Sequence, residues 1–212
     1  MSPIDVRPLR TGETDAAVEV LGRAFFEDPG AIIVEPDPAL REMACRQLFG
    51  PVVRSALPFG HVAAAVDGDG RVLGVATWVP PGHETATEDE LVAAGLLDAL
   101  AAVPEAAARM NPMVGFLEAQ HARAVVGPHW RLEFFGVDPD LQGTGIGGRL
   151  LDAGHETIDA RGERCYLETF TTKNVSFYEK RGYRVVVEGQ VPDTRTLVWG
   201  LVREPSTRAA FP

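Results

Sequence analysis

Apolar residues along this chain switch between two spacings, and the switches mark out its elements. Ile4 to Pro8 alternates as a short strand, and from Glu13 to Glu27 the residues Val18, Leu21 and Phe25 recur at the period of one helical face. Asp28-Pro29-Gly30 breaks that pattern. Pro38 to Leu57 predicts a second helix, and His61 to Val66 and Val72 to Trp78 predict two strands across the turn Asp67-Gly68-Asp69-Gly70. Trp78-Val79-Pro80-Pro81-Gly82 ends the second of these strands.

About 47 residues then precede the next strand, too many for a plain loop in a compact domain, so residues 82–128 are expected to be a helical insertion. Thr87 and Glu90 have the spacing of a capping box, and Val92, Leu96, Ala99 and Val103 share one face before Pro104 interrupts. Met110 to Val126 supplies a further helix or a lid, packed on the sheet or walling a pocket. Residues 131–138 read as a strand, 164–170 as another, and Tyr183 to Glu188 and Thr194 to Val202 as a closing pair that could join within the chain or exchange between two copies as a homodimer. The order predicts one α/β domain over residues 1–204, with residues 205–212 a loose tail.

The strand at 131–138 runs into a glycine-dense turn that opens a helix. Backbone N–H groups at a helix start lack intrahelical partners and lie at the positive end of the dipole, so a loop with little Cβ bulk can wrap a pyrophosphate. Gly143, Gly145, Gly147 and Gly148 supply the missing bulk. Gly143, Gly145 and Gly148 also satisfy the dinucleotide fingerprint, with Glu163 about twenty residues on. A doubly wound sheet needs further strand and helix units after that motif, and little chain remains here to build them.

The segment as a whole resembles the GNAT superfamily of N-acetyltransferases, whose signature is a strand ending in V-x-P followed by Q/R-x-x-G-x-G/A at a helix start. Val137, Pro139, Gln142, Gly145 and Gly147 match it position for position. The run from Tyr166 to Tyr183 resembles the second half of that signature, through its strand, Asn174 and the ending Tyr178-Glu179-Lys180-Arg181-Gly182-Tyr183. Within the superfamily the likeness is to the puromycin N-acetyltransferase branch, through Leu167-Glu168-Thr169, Asn174, Phe177-Tyr178-Glu179, Ala24-Phe25 and Asp28-Pro29.

The resemblance implies a mixed, twisted sheet of about seven strands, flanked by helices and splayed between the strands near 131–138 and 164–170, with acetyl-CoA as cosubstrate in the cleft. It implies direct attack by an amine, expected to be a small molecule, in a ternary complex. Backbone groups of Gly143, Thr144, Gly145, Ile146, Gly147 and Gly148 would hold the pyrophosphate, with Gln142 supporting the loop. The edge at Phe135, Gly136 and Val137 would bond pantetheine and polarise the carbonyl. Gly136 marks either a close ligand approach or simple packing room. Asn174 stands four residues before Tyr178, closer than the common family spacing, so it is either a pantetheine ligand or a helix N-cap.

Tyr178 is the expected acid, since a phenol is protonated at neutral pH and can donate to the departing thiolate. Glu168 is the expected base; alternation places it with Tyr166 and Phe170 on one face, where burial would raise its pKa, and a structural salt bridge or a water relay are the other readings. His129 is a further base candidate, more ordinarily structural beside its turn. Phe25, Phe26 and Trp78 are expected to wall the acceptor pocket.

Composition narrows the alternatives. Hydrophobic residues make up 45% of the 212, enough for one core, and the formal charge of −10 argues against a nucleic-acid partner. No apolar run reaches the roughly 18 residues of a membrane span, and the first residues do not read as a secretory signal. Cys45 and Cys165 give no disulfide framework, and the scattered histidines lack metal-ligand spacing, so a cytoplasmic protein without a metal is expected. Two other functions stay open on sequence: a CoA-binding sensor or partner module without catalysis, and a dinucleotide-dependent oxidoreductase.

Overall fold

The computed structural model describes residues 3–59, 61–83 and 86–206. One seven-stranded sheet runs through the domain in the order β1-β2-β3-β4-β5-β7-β6. Its strands are β1 (Asp5–Pro8), β2 (Val62–Val66), β3 (Val72–Val79), β4 (Trp130–Val137), β5 (Cys165–Thr169), β6 (Tyr183–Gln190) and β7 (Leu197–Arg203). All neighbours are antiparallel except β4 and β5. The fold expected from sequence is therefore the one observed.

Strand alternation sends two sets of side chains to opposite faces. On one face Val62, Ala64, Val66 and Val75 meet Ala17, Val18 and Leu21 of helix α1 (Thr14–Ala24), together with Val53 of a long helix over Pro38–Ala56. On the other face Ala76, Trp78, Leu132 and Leu167 pack with Leu150, Leu151 and Ile158 of a helix over Ile146–Ala160. Each helix is apolar on the side turned to the sheet, and burying that side supplies its stability.

Between α1 and the long helix, Asp28-Pro29-Gly30 does more than break a pattern. Asp28 accepts a hydrogen bond from Gly30 N at 2.8 Å and caps a short helix, α2 (Pro29–Val34), with Pro29 at its first position. The long helix is thus α3. Residues 82–128 hold three helices, α4 (Glu88–Ala93), α5 (Leu96–Ala102) and α6 (Pro104–Ala124), and the Thr87/Glu90 capping box starts the first. α6 packs against β6 and β7; Gly189 of β6 leaves room for Phe116 and Gln120, which a Cβ would strike. The helix at Ile146–Ala160 is α7, and α8 is Thr172–Glu179.

The two C-terminal strands pair with each other inside the chain, with β7 between β5 and β6. The tail expected from residue 205 lies outside the described residues from 207 onward; Ser206 N is held by Asp159 at 2.9 Å.

The parallel pair creates the cleft. β4 and β5 share only the register Trp130↔Cys165, Arg131↔Tyr166 and Leu132↔Leu167. Beyond it β4 continues with β3 to Val137 and β5 continues with β7, so the sheet forks. On the β3 side the register jumps from Thr77↔Phe134 to Trp78↔Leu132, leaving Glu133 as an extra residue. A bulge of this kind bends and twists its strand, and it sits where β4 departs from β5.

Candidate acetyl-CoA cleft

The loop after β4 is built from its first residue. Asp138, 2% exposed, accepts hydrogen bonds from Arg23 at 2.9 Å, Arg71 at 2.8 Å and Asp140 N at 3.2 Å, while its own N–H reaches Leu73 O at 2.9 Å. Burial alone would raise its carboxyl, but the bonds from Arg23, Asp140 and Arg71 hold it below the ordinary value. Pro139–Leu141 makes a single 3-10 turn, and Gln142 Nε2 donates to Val137 O at 3.3 Å, spanning the base of the loop. Gly143 and Gly145 follow with φ of 79° and 93°. A Cβ at either would meet nothing within 4 Å, so backbone conformation requires these glycines.

Gly145 is the N-cap of α7, and the bond Arg149 N to Gly145 O at 3.2 Å begins its ladder. The N–H groups of Ile146, Gly147 and Gly148 thus precede any intrahelical partner, which fits an oxyanion. Ile146 is an anchor: its side chain is buried among Leu150 and Val137. Thr144 turns its hydroxyl to Leu141 O at 2.6 Å and offers the loop backbone alone. At Gly147 a Cβ would lie 3.1 Å from the Phe135 ring, so α7 approaches the open part of β4 closely.

Phe135 and Val137 lie where β4 has left β5, so their backbone edge on that side has no strand partner among the described residues. Gly136 has a packing reason of its own. A Cβ there would come within 2.8 Å of Ala24 Cβ and 3.0 Å of Leu21 Cδ2, both on α1.

α8 follows β5 directly. Thr171 is its N-cap, accepting from Asn174 N at 3.3 Å, so Asn174 is not a cap. The Asn174 amide instead donates to Thr169 Oγ1 at 3.1 Å, tying α8 to the end of β5. Tyr178 is 6% exposed, its ring packed against Phe135, Phe177 and Tyr183. Its hydroxyl makes no hydrogen bond among the described residues. Burial, reinforced by Cys165 and Asp28, pushes its pKa well above the ordinary phenol value and keeps it protonated.

Glu168 is the first β5 residue beyond the parallel register. Its Oε2 lies 3.0 Å from Arg131 Nη2, and its Oε1 accepts from Tyr166 at 3.0 Å. Burial raises its pKa, while Arg131 and the Tyr166 hydroxyl pull the other way. Sequence alternation found the Tyr166 neighbour; it did not find Arg131, which also binds Glu118 at 2.6 Å and Glu133 at 3.1 Å. His129 stands with this group rather than as a lone base. Its Nε2 lies 2.6 Å from His121 Nε2 and its Nδ1 2.7 Å from Gly127 O, and the His121 ring stacks on Tyr166.

The expected acceptor walls separate. Phe25 joins Phe49 and Phe134 in an aromatic cluster on the α1 and α3 face, with centroids 5.1, 5.9 and 4.4 Å apart. Phe26 is apart from it, under the Arg41 guanidinium at 5.2 Å. Trp78 lies on the opposite face of the sheet from Phe25, 3% exposed, against Gly154 and His155 of α7.

Asp28 is the residue that sequence reasoning passed over. α2 begins above Phe170, whose ring lies 2.8 Å from where a Gly30 Cβ would be, so its cap is beside the end of β5. Burial pushes the Asp28 carboxyl up to about 6 against its bonds from Gly30 and Ala31, and its charge acts on Tyr178. The Asp-Pro pair read as a helix break and as part of the puromycin-branch likeness, and neither reading gave Asp28 a role of its own.

Residues 106–185 match the family model described as acetyltransferase (GNAT) domain, the segment that holds the loop, the fork and α8. That segment, about two fifths of the chain, is similar to a GNAT acetyltransferase domain. An uncharacterised N-acetyltransferase of Schizosaccharomyces pombe is 37% identical over 79 residues, 35% of this chain and 33% of that protein, so the match spans about a third of the relative's length. Among solved structures, the histone acetyltransferase HPA2 and related acetyltransferase of Corynebacterium glutamicum is similar at TM-score 0.62 and 20% identity, over 99% of both chains. Arylalkylamine N-acetyltransferase 2 of Aedes aegypti is similar at TM-score 0.66 and 15% identity, over 96% of this chain and 99% of that one. These likenesses extend the GNAT fold to the whole sheet, including the part before residue 106.

Proposed function

We propose that the protein transfers an acetyl group from acetyl-CoA to the amine of a small molecule, by direct attack within a ternary complex. The observation that carries this reading is the fork between β4 and β5, with the α7 loop after β4 and Tyr178 of α8 packed against Phe135 of the open part of β4. The loop N–H groups from Gly143 to Gly148 hold pyrophosphate, and the edge at Phe135 to Val137 bonds pantetheine and polarises the thioester carbonyl.

A free amine attacks that carbonyl; the C–N bond forms and the C–S bond breaks. The proton lost from the substrate ammonium goes to a carboxylate, Tyr178 gives one to the departing thiolate, and the second proton released from nitrogen as the amide forms restores the phenol. Glu168 is the carboxylate that the family resemblance supports. Asp28 is a second reading, favoured by a pKa of about 6 and by its action on Tyr178. Asn174 positions α8 through Thr169 and leaves its carbonyl oxygen for pantetheine.

The Phe25, Phe49 and Phe134 cluster supports an acceptor with an apolar or aromatic body, in keeping with the arylalkylamine named for the Aedes aegypti enzyme. Placement in the puromycin N-acetyltransferase branch rests on Leu167-Glu168-Thr169, Asn174 and Phe177-Tyr178-Glu179. The test is thiol release from acetyl-CoA across a panel of arylalkylamines, polyamines and aminonucleosides, with mass spectrometry of the product. Amine-dependent release with one N-acetyl group added is expected; binding of acetyl-CoA without release for any amine would support a non-catalytic module instead.

A further inference from the structure

Arg181 has no part in the chemistry above, yet it is held against the loop. Its guanidinium stacks on the Phe177 ring, 3.8 Å from the centroid, and Nη1 donates to Phe177 O at 2.9 Å. Nη2 reaches 2.9 Å from the point where a Cβ on Gly148 would stand, so the cation rests on the first turn of α7. Among the described residues no carboxylate pairs with it, whereas Arg7, Arg23, Arg131 and Arg203 each have one.

A helix N-terminus is the wrong end for a cation. The dipole there repels positive charge and attracts anions, so a fixed guanidinium beside α7 is unfavourable until negative charge joins the two. Stacking and the Phe177 carbonyl fix its position beforehand, with Nη2 over Gly148 in the first turn of α7, whose N–H groups at residues 146–148 have no intrahelical partner. Gly148 then has a purpose that the family signature does not supply, since any side chain would displace the guanidinium.

We propose that Arg181 is a further ligand of the CoA pyrophosphate, closing the loop cradle from the α8 side. This rests on the acetyl-CoA reading and adds a residue to it. A charge-assisted bond from a pre-positioned guanidinium, lost on substitution, predicts that Arg181→Gln weakens CoA binding by about tenfold to hundredfold.

The test is calorimetric titration of the wild type, Arg181→Gln and Arg181→Lys with CoA, dephospho-CoA and phosphate-free pantetheine. Arg181→Gln is expected to weaken CoA and dephospho-CoA by the same factor and leave pantetheine unchanged, with Arg181→Lys recovering part of the loss. Gly148→Ala, which shifts the guanidinium without removing it, is expected to weaken the same two ligands. Wild-type CoA affinity in Arg181→Gln would overturn the proposal. So would a loss confined to CoA, which would place the contact at the 3′-phosphate, or an equal loss for pantetheine, which would make Arg181 a packing residue. If the wild type itself bound no CoA, the acetyl-CoA reading would fail before Arg181 was tested.

Discussion

Arg131 Nη2 lies 3.0 Å from Glu168 Oε2 at the point where β4 and β5 part. Arg131 belongs to the last stretch of parallel pairing and Glu168 to the first residue beyond it, so their ion pair bridges the root of the cleft. With Glu118 and Glu133 on the same guanidinium, one buried cation balances three carboxylates. Removing the cation strands the anions, and that asymmetry decides what a substitution does.

Arg131→Met should therefore lose about 3–5 kcal/mol of stability at pH 7, measured by urea unfolding. The deficit should shrink on acidification as the stranded carboxyls take protons. A neutral effect at pH 7 would mean that the three glutamates are solvated in the native state.

Asp28→Asn keeps the cap of α2, because asparagine caps as well as aspartate, and removes only the titration. The folded-state pKa of Asp28, about 6, lies above its ordinary value, so its contribution to stability is full below the unfolded pKa and lost as pH rises through about 6. The variant should be more stable than wild type above pH 6, by on the order of 2–3 kcal/mol, and the two should converge near pH 4. In the pH profile of turnover, loss of the acidic limb in Asp28→Asn but not in Glu168→Gln would make Asp28 the base; the reverse result would return the role to Glu168.

Tyr178→Phe preserves the ring contacts with Phe135, Phe177 and Tyr183 and deletes the hydroxyl. CoA affinity should hold while turnover falls by roughly 10²–10⁴. Undiminished turnover would remove Tyr178 as the acid.

Trp78→Phe should lower the melting temperature, because it opens a void against Gly154 and His155, and should leave the acceptor KM unchanged. A changed acceptor KM with intact stability would put Trp78 back in the pocket.

The contrast between Trp78 and Phe25 shows what the sequence could and could not disclose. The periodicities that placed α1, α3, β2 and β3 depend on local chemistry, and the forked sheet followed from two linked motifs in the right order. Alternation puts Trp78 with Ala76 on one face of β3, but which helix covers that face, α7 and not α1, is set by the fold of the whole sheet. Glu168 and Tyr166 were legible because they are two apart on one strand. Arg131 and Asp28 were not, since each acts across elements that only the folded sheet brings together. Asn174 shows the same limit on a smaller scale: its neighbour Thr171 takes the capping position, and only the structure reveals its bond to Thr169.

The central claim is that the β4–β5 fork and the α7 loop hold acetyl-CoA, and thermal unfolding with acetyl-CoA or NAD tests it most directly. A ligand at about 100 times its dissociation constant adds about 2.7 kcal/mol if it binds only the folded state. Acetyl-CoA should raise the melting temperature of the wild type, NAD should not, and Gly145→Val, with a β-branched residue forced to a φ of 93°, should abolish the shift while still unfolding cooperatively. A shift with NAD alone, or an undiminished acetyl-CoA shift in folded Gly145→Val, would contradict the account.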